Sequence, residues 1–183
     1  YIIQPKIWGD SRGFFFESYN ANALKNAGIL YDFVQDNHSK SSYGVLRGLH
    51  YQQGEFAQTK LVRVTRGSVI DVVVDLRKGS PTYLEHYAIE LSEENHTQLL
   101  IPKGFAHGFI VTSDTAEFLY KCDQFYNKES EGGVHYADPK LNIDWGIDKK
   151  DFIVSEKDLN NPNLEQAEFN FPFENFTKEK LYA

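Results

Sequence analysis

The stretch Val45-Leu46-Arg47-Gly48-Leu49-His50-Tyr51-Gln52 sets one imidazole near the end of a strand-forming run. It follows Gln35-Asp36-Asn37-His38-Ser39-Lys40, a polar segment that predicts a surface or a cleft. A histidine there can exchange protons with a substrate near neutral pH, or it can be a half-buried strand residue bonded to a backbone carbonyl; the strand alone leaves both readings open. Strict alternation puts Leu46, Gly48, His50 and Gln52 on one face and Arg47, Leu49 and Tyr51 on the other. Arg47 and His50 can therefore share a pocket only if Gly48 marks a bulge, and a bulge is expected there. Farther on, Phe118, Tyr120 and Cys122 share a strand face. Tyr120 is the best complement to His50, because a buried phenol near a cation can donate a proton opposite a histidine base. Read structurally, it is a core tyrosine whose hydroxyl finds a partner.

Other chemistries find less support. Pro102-Lys103-Gly104-Phe105-Ala106-His107 is similar to the second half of the cupin metal signature, PxGxxH, but the paired histidines and glutamate of the first half are absent. His50 and His107 alone fall short of a ligand set, so no catalytic metal is expected. Gly9-Asp10-Ser11-Arg12-Gly13 fits the letters Gly-x-Ser-x-Gly but carries turn chemistry before a second strand rather than the strand-to-helix elbow of a nucleophilic serine, and no phosphate-cradling glycine loop occurs. Cys122, the only cysteine, lacks an evident histidine partner and reads as a passive strand residue.

The elements that must position these groups are mostly strands. Segments Lys60–Thr65, Ser68–Leu76, Tyr83–Leu91, Thr97–Ile101, His107–Thr112 and Ala116–Cys122 follow one another at short spacing, which predicts an all-β sandwich or barrel. Val69, Asp71, Val73 and Asp75 share a face, and both carboxylates are expected at a solvated rim. Strands are also expected over Ile2–Trp8 and Phe14–Tyr19, the second with apolar cover on both faces. A short helix over 20–27 has Asn20 as its cap and Gly28 as its stop. Beyond Asp123 regularity fades, and the aromatic stretch Phe169–Phe176 is expected to pack rather than hang in water.

At 183 residues with 41% hydrophobic side chains, the chain is the size of a single domain with a substantial core. A net charge of -7 disfavours nonspecific nucleic-acid binding, so an anionic ligand would need a local cluster of arginine and lysine. No apolar run approaches bilayer length, and one cysteine fits a reducing cytoplasm. A chain without methionine that opens inside a strand reads as one whose beginning lies upstream.

The segments GDSRGFFFES, FVQDNHSKSS, VLRGLHYQ, KLVRV, DVVVDLRKGSPTY, IPKGFAHGF and EFLYKCDQFY, in that order, resemble the dTDP-4-dehydrorhamnose 3,5-epimerase family from Ile2 to about Pro162. The resemblance implies a cupin-type double-stranded β-helix jelly roll, dimeric and free of metal or organic cofactor. Residues 1–183 would form a single domain, with 159–183 a C-terminal extension packing on the barrel or on a partner subunit. The implied substrate is dTDP-4-dehydro-6-deoxy-D-glucose, inverted at carbons 3 and 5, both alpha to the ketone. Carried over by position, His50 is the base, Asp158 its orienting carboxylate, Lys60 the cation at the enolate oxygen and Tyr120 the proton donor. Arg12, Glu17, Gln35, Asp36, Asn37, Arg47, Lys60, His107, Glu131 and Lys157 fall on positions lining the substrate site, and Tyr126 on the ring that stacks on thymine. Rival readings are an epimerase acting at one carbon or on a related nucleotide-linked 4-keto sugar, a sugar-nucleotide-binding module without turnover, and a metal-dependent cupin oxygenase.

Overall fold

Period-two alternation shapes the chain from Gln35 to Cys122, and in the computed structural model, which describes residues 1–173, it yields two antiparallel sheets packed face to face. The chain opens with β1 (Ile2–Ile3), β2 (Trp8–Asp10), β3 (Gly13–Phe15) and α1 (Ala21–Asn26). The body is woven from β4 (Gln35–Ser42), β5 (Val45–Gln52), β6 (Lys60–Arg66), β7 (Ser68–Asp75), β8 (Arg77–Lys78), β9 (His86–Ser92), β10 (Gln98–Ile101), β11 (Phe105–Val111) and β12 (Thr115–Cys122). After it come β13 (Glu131–Gly133), β14 (Ile153–Val154), α2 (Glu156–Leu159) and β15 (Phe171–Pro172). One sheet runs β1-β10-β6-β12-β4; the other runs β13-β5-β11-β7-β9, with β14 parallel to β5. No helix among the described residues is long and apolar enough to cross a membrane.

Two apolar clusters hold this arrangement. Between the sheets, Val62, Val64, Leu99 and Phe118 from one meet Val69, Val73, Phe109 and Val111 from the other. On the outer face of the second sheet, Leu46, Leu49, Tyr51, Val72, Val74 and Ile110 are covered by Val134, Leu141, Trp145, Leu164 and Phe171 of the irregular C-terminal half. Each fully buried side chain of this size contributes about 2 kcal/mol by area removed from water. Phe169 and Phe171 meet the Tyr51 ring edge-on, at centroid distances of 6.1 and 5.7 Å. The rest of the aromatic stretch, Glu174 to Phe176, lies outside the described residues.

Several sequence expectations change in space. The first expected strand is divided, β1 pairing with β10 and β2 with β3, because Pro5 between them has no amide proton to offer a ladder. The second shrinks to Gly13–Phe15 and closes a hairpin on which Phe14 and Phe15 remain 63% and 68% exposed. The polar segment from Gln35 is itself a strand, paired with β12 along its whole length; its inward face is too polar to signal alternation. Asp71 and Asp75 are buried rather than solvated, since Asp71 pairs with His107 and Asp75 with Arg77, Ser80 and Thr82. The helix is capped as expected, Asn20 Oδ1 accepting from the Ala23 amide at 3.1 Å.

The bulge on β5 positions the chemistry. Register against β11 shifts between His107 and Phe109, opposite Gly48. Leu46, Leu49 and Tyr51 consequently point into the outer cluster, while Arg47 and His50 both point between the sheets. Gly48 has φ 131°, and a Cβ built there would lie 2.5 Å from the Gly108 Cα. Gly48→Ala is therefore expected to destabilise the fold by about 2 kcal/mol or more, read as a lower urea midpoint at unchanged slope. An unchanged midpoint would show that the bulge tolerates a side chain.

Candidate active site

Each polar side chain of the site extends a row of apolar residues facing the inter-sheet space. Lys60 continues Val62 and Val64 on β6, Tyr120 continues Phe118 on β12, and His107 continues Phe109 and Val111 on β11. These rows end in a cavity of about 610 Å³ lined by Asn37, Arg47, His50, Lys60, His107, Tyr120, Lys157 and Asp158, among others. Phe109 and Phe118, stacked at 4.2 Å between centroids, form part of its apolar lining. His50 and His107 face each other across neighbouring strands of one sheet; Lys60 and Tyr120 belong to the other sheet.

His50 Nε2 and Asp158 Oδ1 are 2.5 Å apart. Asp158 comes from the single turn of α2, whose cap is the Ser155 hydroxyl accepting the Asp158 amide at 3.1 Å. Burial opposes ionisation of Asp158, but its bonds to His50 and to the Gly48 amide hold the carboxyl below the usual carboxylate range. The imidazole is thus fixed through Nε2, and its Nδ1 has no hydrogen-bond partner among the described residues.

On the facing sheet, burial pulls the Lys60 ammonium below the ordinary lysine value, while Cys122, Asp71 and Glu131 act in the opposite sense. Its Nζ lies 5.8 Å from the Tyr120 ring centroid. Burial raises the Tyr120 phenol, so it keeps its proton across the neutral range. Burial likewise pushes the Cys122 thiol up to about 11, and Asn37 Nδ2 donates to its sulfur at 3.8 Å.

A polar chain borders the mouth. Gln35 Nε2 donates to Asn37 Oδ1 at 3.1 Å, and Gln35 Oε1 accepts from the Tyr126 amide at 3.1 Å. The Tyr126 hydroxyl donates to Glu131 Oε2 at 3.1 Å, and Glu131 Oε1 accepts from Lys157 Nζ at 2.5 Å. The Tyr126 ring is exposed. Arg47 Nε donates to Ser41 Oγ at 3.2 Å. Six of the expected residues do not line the cavity: Gln35, Tyr126 and Glu131 join its lining residues Asn37 and Lys157 only through this polar chain, whereas Arg12 pairs with Asp10 at 2.6 Å in the N-terminal hairpin, Glu17 accepts from Asn20, and Asp36 binds Lys121 at 2.9 Å on the outward side of β4. Asp71, expected at a solvated rim, instead lies with its Oδ2 2.8 Å from His107 Nε2. A carboxylate inside the run Val69-Ile70-Asp71-Val72-Val73-Val74 was the available signal, because a strand that apolar is covered on both faces. No group of three or more His, Cys, Asp or Glu among the described residues is arranged to hold a metal ion.

A profile of the dTDP-4-dehydrorhamnose 3,5-epimerase family matches residues 1–166. A dTDP-4-dehydrorhamnose 3,5-epimerase of Pseudomonas aeruginosa is 54% identical over 158 residues, 86% of each chain. The crystal structure of the Elizabethkingia anophelis dTDP-4-dehydrorhamnose 3,5-epimerase matches at 55% identity with a TM-score of 0.87, covering 90% of this chain and 91% of that one. A dTDP-6-deoxy-D-glucose-3,5-epimerase from Legionella pneumophila, crystallised with dTDP-4-keto-L-rhamnose, is 51% identical with a TM-score of 0.86, covering 90% and 87%. Beside these structures the two packed sheets are a cupin-type jelly roll.

Proposed function

This chain belongs to the dTDP-4-dehydrorhamnose 3,5-epimerase family, and from that premise we propose how its cavity inverts carbons 3 and 5 of dTDP-4-dehydro-6-deoxy-D-glucose. The observation that carries the reading is the disposition of base and acid on facing sheets, His50 with Asp158 on one side and Tyr120 with Lys60 on the other. A sugar ring lying between them meets a base on one face and a proton donor on the opposite face, which is what inversion requires.

With Nε2 bonded to Asp158, Nδ1 of His50 is the basic nitrogen. It takes the proton from carbon 5 or carbon 3, and the electron pair moves into the carbonyl at carbon 4. Lys60 donates to the enolate oxygen, and Tyr120 returns a proton from the other face. The substrate's own ketone is the electron sink, so no organic cofactor takes part. Arg47 and Lys157 give the acidic chain local positive charge for the diphosphate, and Tyr126 stacks on the thymine. For Lys157 this means exchanging Glu131 for phosphate.

A homodimer completes this reading. Trp8, Phe14 and Phe15 are exposed on one small hairpin, and a second copy would cover them. Arg12 and Glu17, which the resemblance assigns to the substrate site although they lie away from this chain's own cavity, would then serve a neighbour's. A monomer mass by sedimentation equilibrium at working concentration would remove this part of the proposal.

Incubation with the ketosugar in deuterium oxide tests the whole scheme. The wild type should give the L-sugar with deuterium at carbons 3 and 5. Tyr120→Phe should keep washing out the alpha protons while inversion falls about a hundredfold, the low end for a lost acid because water can reprotonate. Exchange and inversion lost in equal measure would move Tyr120 from donor to base.

A further inference from the structure

Asp71 sits fully buried in the middle of β7 between Val69 and Val73, on a row that otherwise packs into the inter-sheet core. Its Oδ2 lies 2.8 Å from His107 Nε2, and its Oδ1 has no hydrogen-bond partner among the described residues. A half-satisfied carboxylate is a poor way to stabilise a sheet interior that an aliphatic side chain would fill, as Val69 and Val73 do. Packing leaves Asp71 unexplained.

His107 supplies the explanation. It stands directly opposite His50 on the neighbouring strand and lines the same cavity. Its ring stacks beside Phe118 at 6.0 Å and 30°. Because Asp71 occupies Nε2, the edge open to a molecule in the cavity is Nδ1. The arrangement repeats that of His50 and Asp158: a wall imidazole held through Nε2 by a carboxylate behind it. We propose that Asp71 is a positioning residue for the epimerisation, fixing the His107 ring with Nε2 as its donor so that Nδ1 meets the bound sugar beside the reacting carbons. The inference rests on the epimerase reading above.

The nucleotide is anchored elsewhere, by Arg47, Lys157 and Tyr126, so a misoriented His107 should act on turnover and leave substrate affinity almost untouched. Asp71→Asn keeps the shape but can offer Nε2 a donor instead of an acceptor, reversing the imidazole tautomer. It is expected to lower kcat about tenfold to a hundredfold, the usual effect of removing the partner that orients a working imidazole, with KM little changed and the thermal midpoint equal or higher. Nitrogen-15 spectra of histidine-labelled protein should show the His107 proton on Nε2 in the wild type and displaced from it in the variant.

Asp71 also lies close enough to affect the Lys60 charge, and a double variant separates the two routes. His107→Asn should match the loss of Asp71→Asn, and combining them should add nothing. A further loss on combination, or wild-type kcat in Asp71→Asn, overturns the proposal. Should Asp71→Asn fail to fold, a wild-type spectrum with His107 protonated at Nδ1 alone would overturn it as well. Failure of the wild type to epimerise the ketosugar is a separate outcome, and it would remove the epimerase reading together with this inference.

Discussion

His50→Ala is expected to slow deuterium exchange at carbon 3 and at carbon 5 together, by about a hundredfold to ten-thousandfold, the range associated with one positioned base. The joint loss follows from the cavity's construction. Among the described residues, His50 is the imidazole whose carboxylate is itself fixed twice, by the Gly48 amide at 3.4 Å and by the cap of α2. The carboxyl of Asp158 titrates below its ordinary value, so the pair stays assembled until the pH falls through that depressed value. Sign follows from linkage: a carboxyl more acidic folded than unfolded contributes stability above its unfolded pKa and loses it as acid protonates the folded state. KM should stay near the wild-type value, because the nucleotide contacts lie on other residues. Exchange surviving at one carbon alone would reveal a second base; exchange surviving at both would end the case for His50.

How far the amino-acid order announced this site depends on which physical signal each residue carries. His50, Tyr120 and the bulge at Gly48 were legible because alternation is local: a glycine in an otherwise regular strand implies a change of face. Lys60 and Asp158 entered through family resemblance. No periodicity links a residue on β6 or the one-turn α2 to a histidine on β5; only the closure of the sheets joins them. Asp71 was misread because a carboxylate on a strand is more often solvated; the near-continuous apolar run around it, which signals a strand covered on both faces, was the stronger evidence. The C-terminal half shows the same limit. Its segments, which carry no strand periodicity, supply Trp145, Leu164 and Phe171 as the outer cover of β5, without which the strand carrying His50 would expose Leu46, Leu49 and Tyr51.

Lys60→Met should lower kcat about a hundredfold to a thousandfold, the scale observed when a preorganised donor to a developing oxyanion is removed. The loss should fall on kcat more than on KM, because full negative charge reaches the oxygen only after the proton has left carbon. The same substitution should raise the melting temperature. Burial holds the Lys60 ammonium below its ordinary value, so the folded protein releases that proton more readily than the unfolded chain does. Stability therefore rises with pH through the interval between the folded and unfolded values, and at neutral pH the buried charge opposes folding. Methionine keeps much of the length, removes the charge and meets Val62 and the Tyr120 ring with an apolar surface. A residue retained for packing would give the reverse pattern, a lower melting temperature with kcat preserved. Opposite movement of activity and stability in Lys60→Met would identify the ammonium as part of the reaction's electrostatics, whereas unchanged kcat would leave the enolate without its assigned cation.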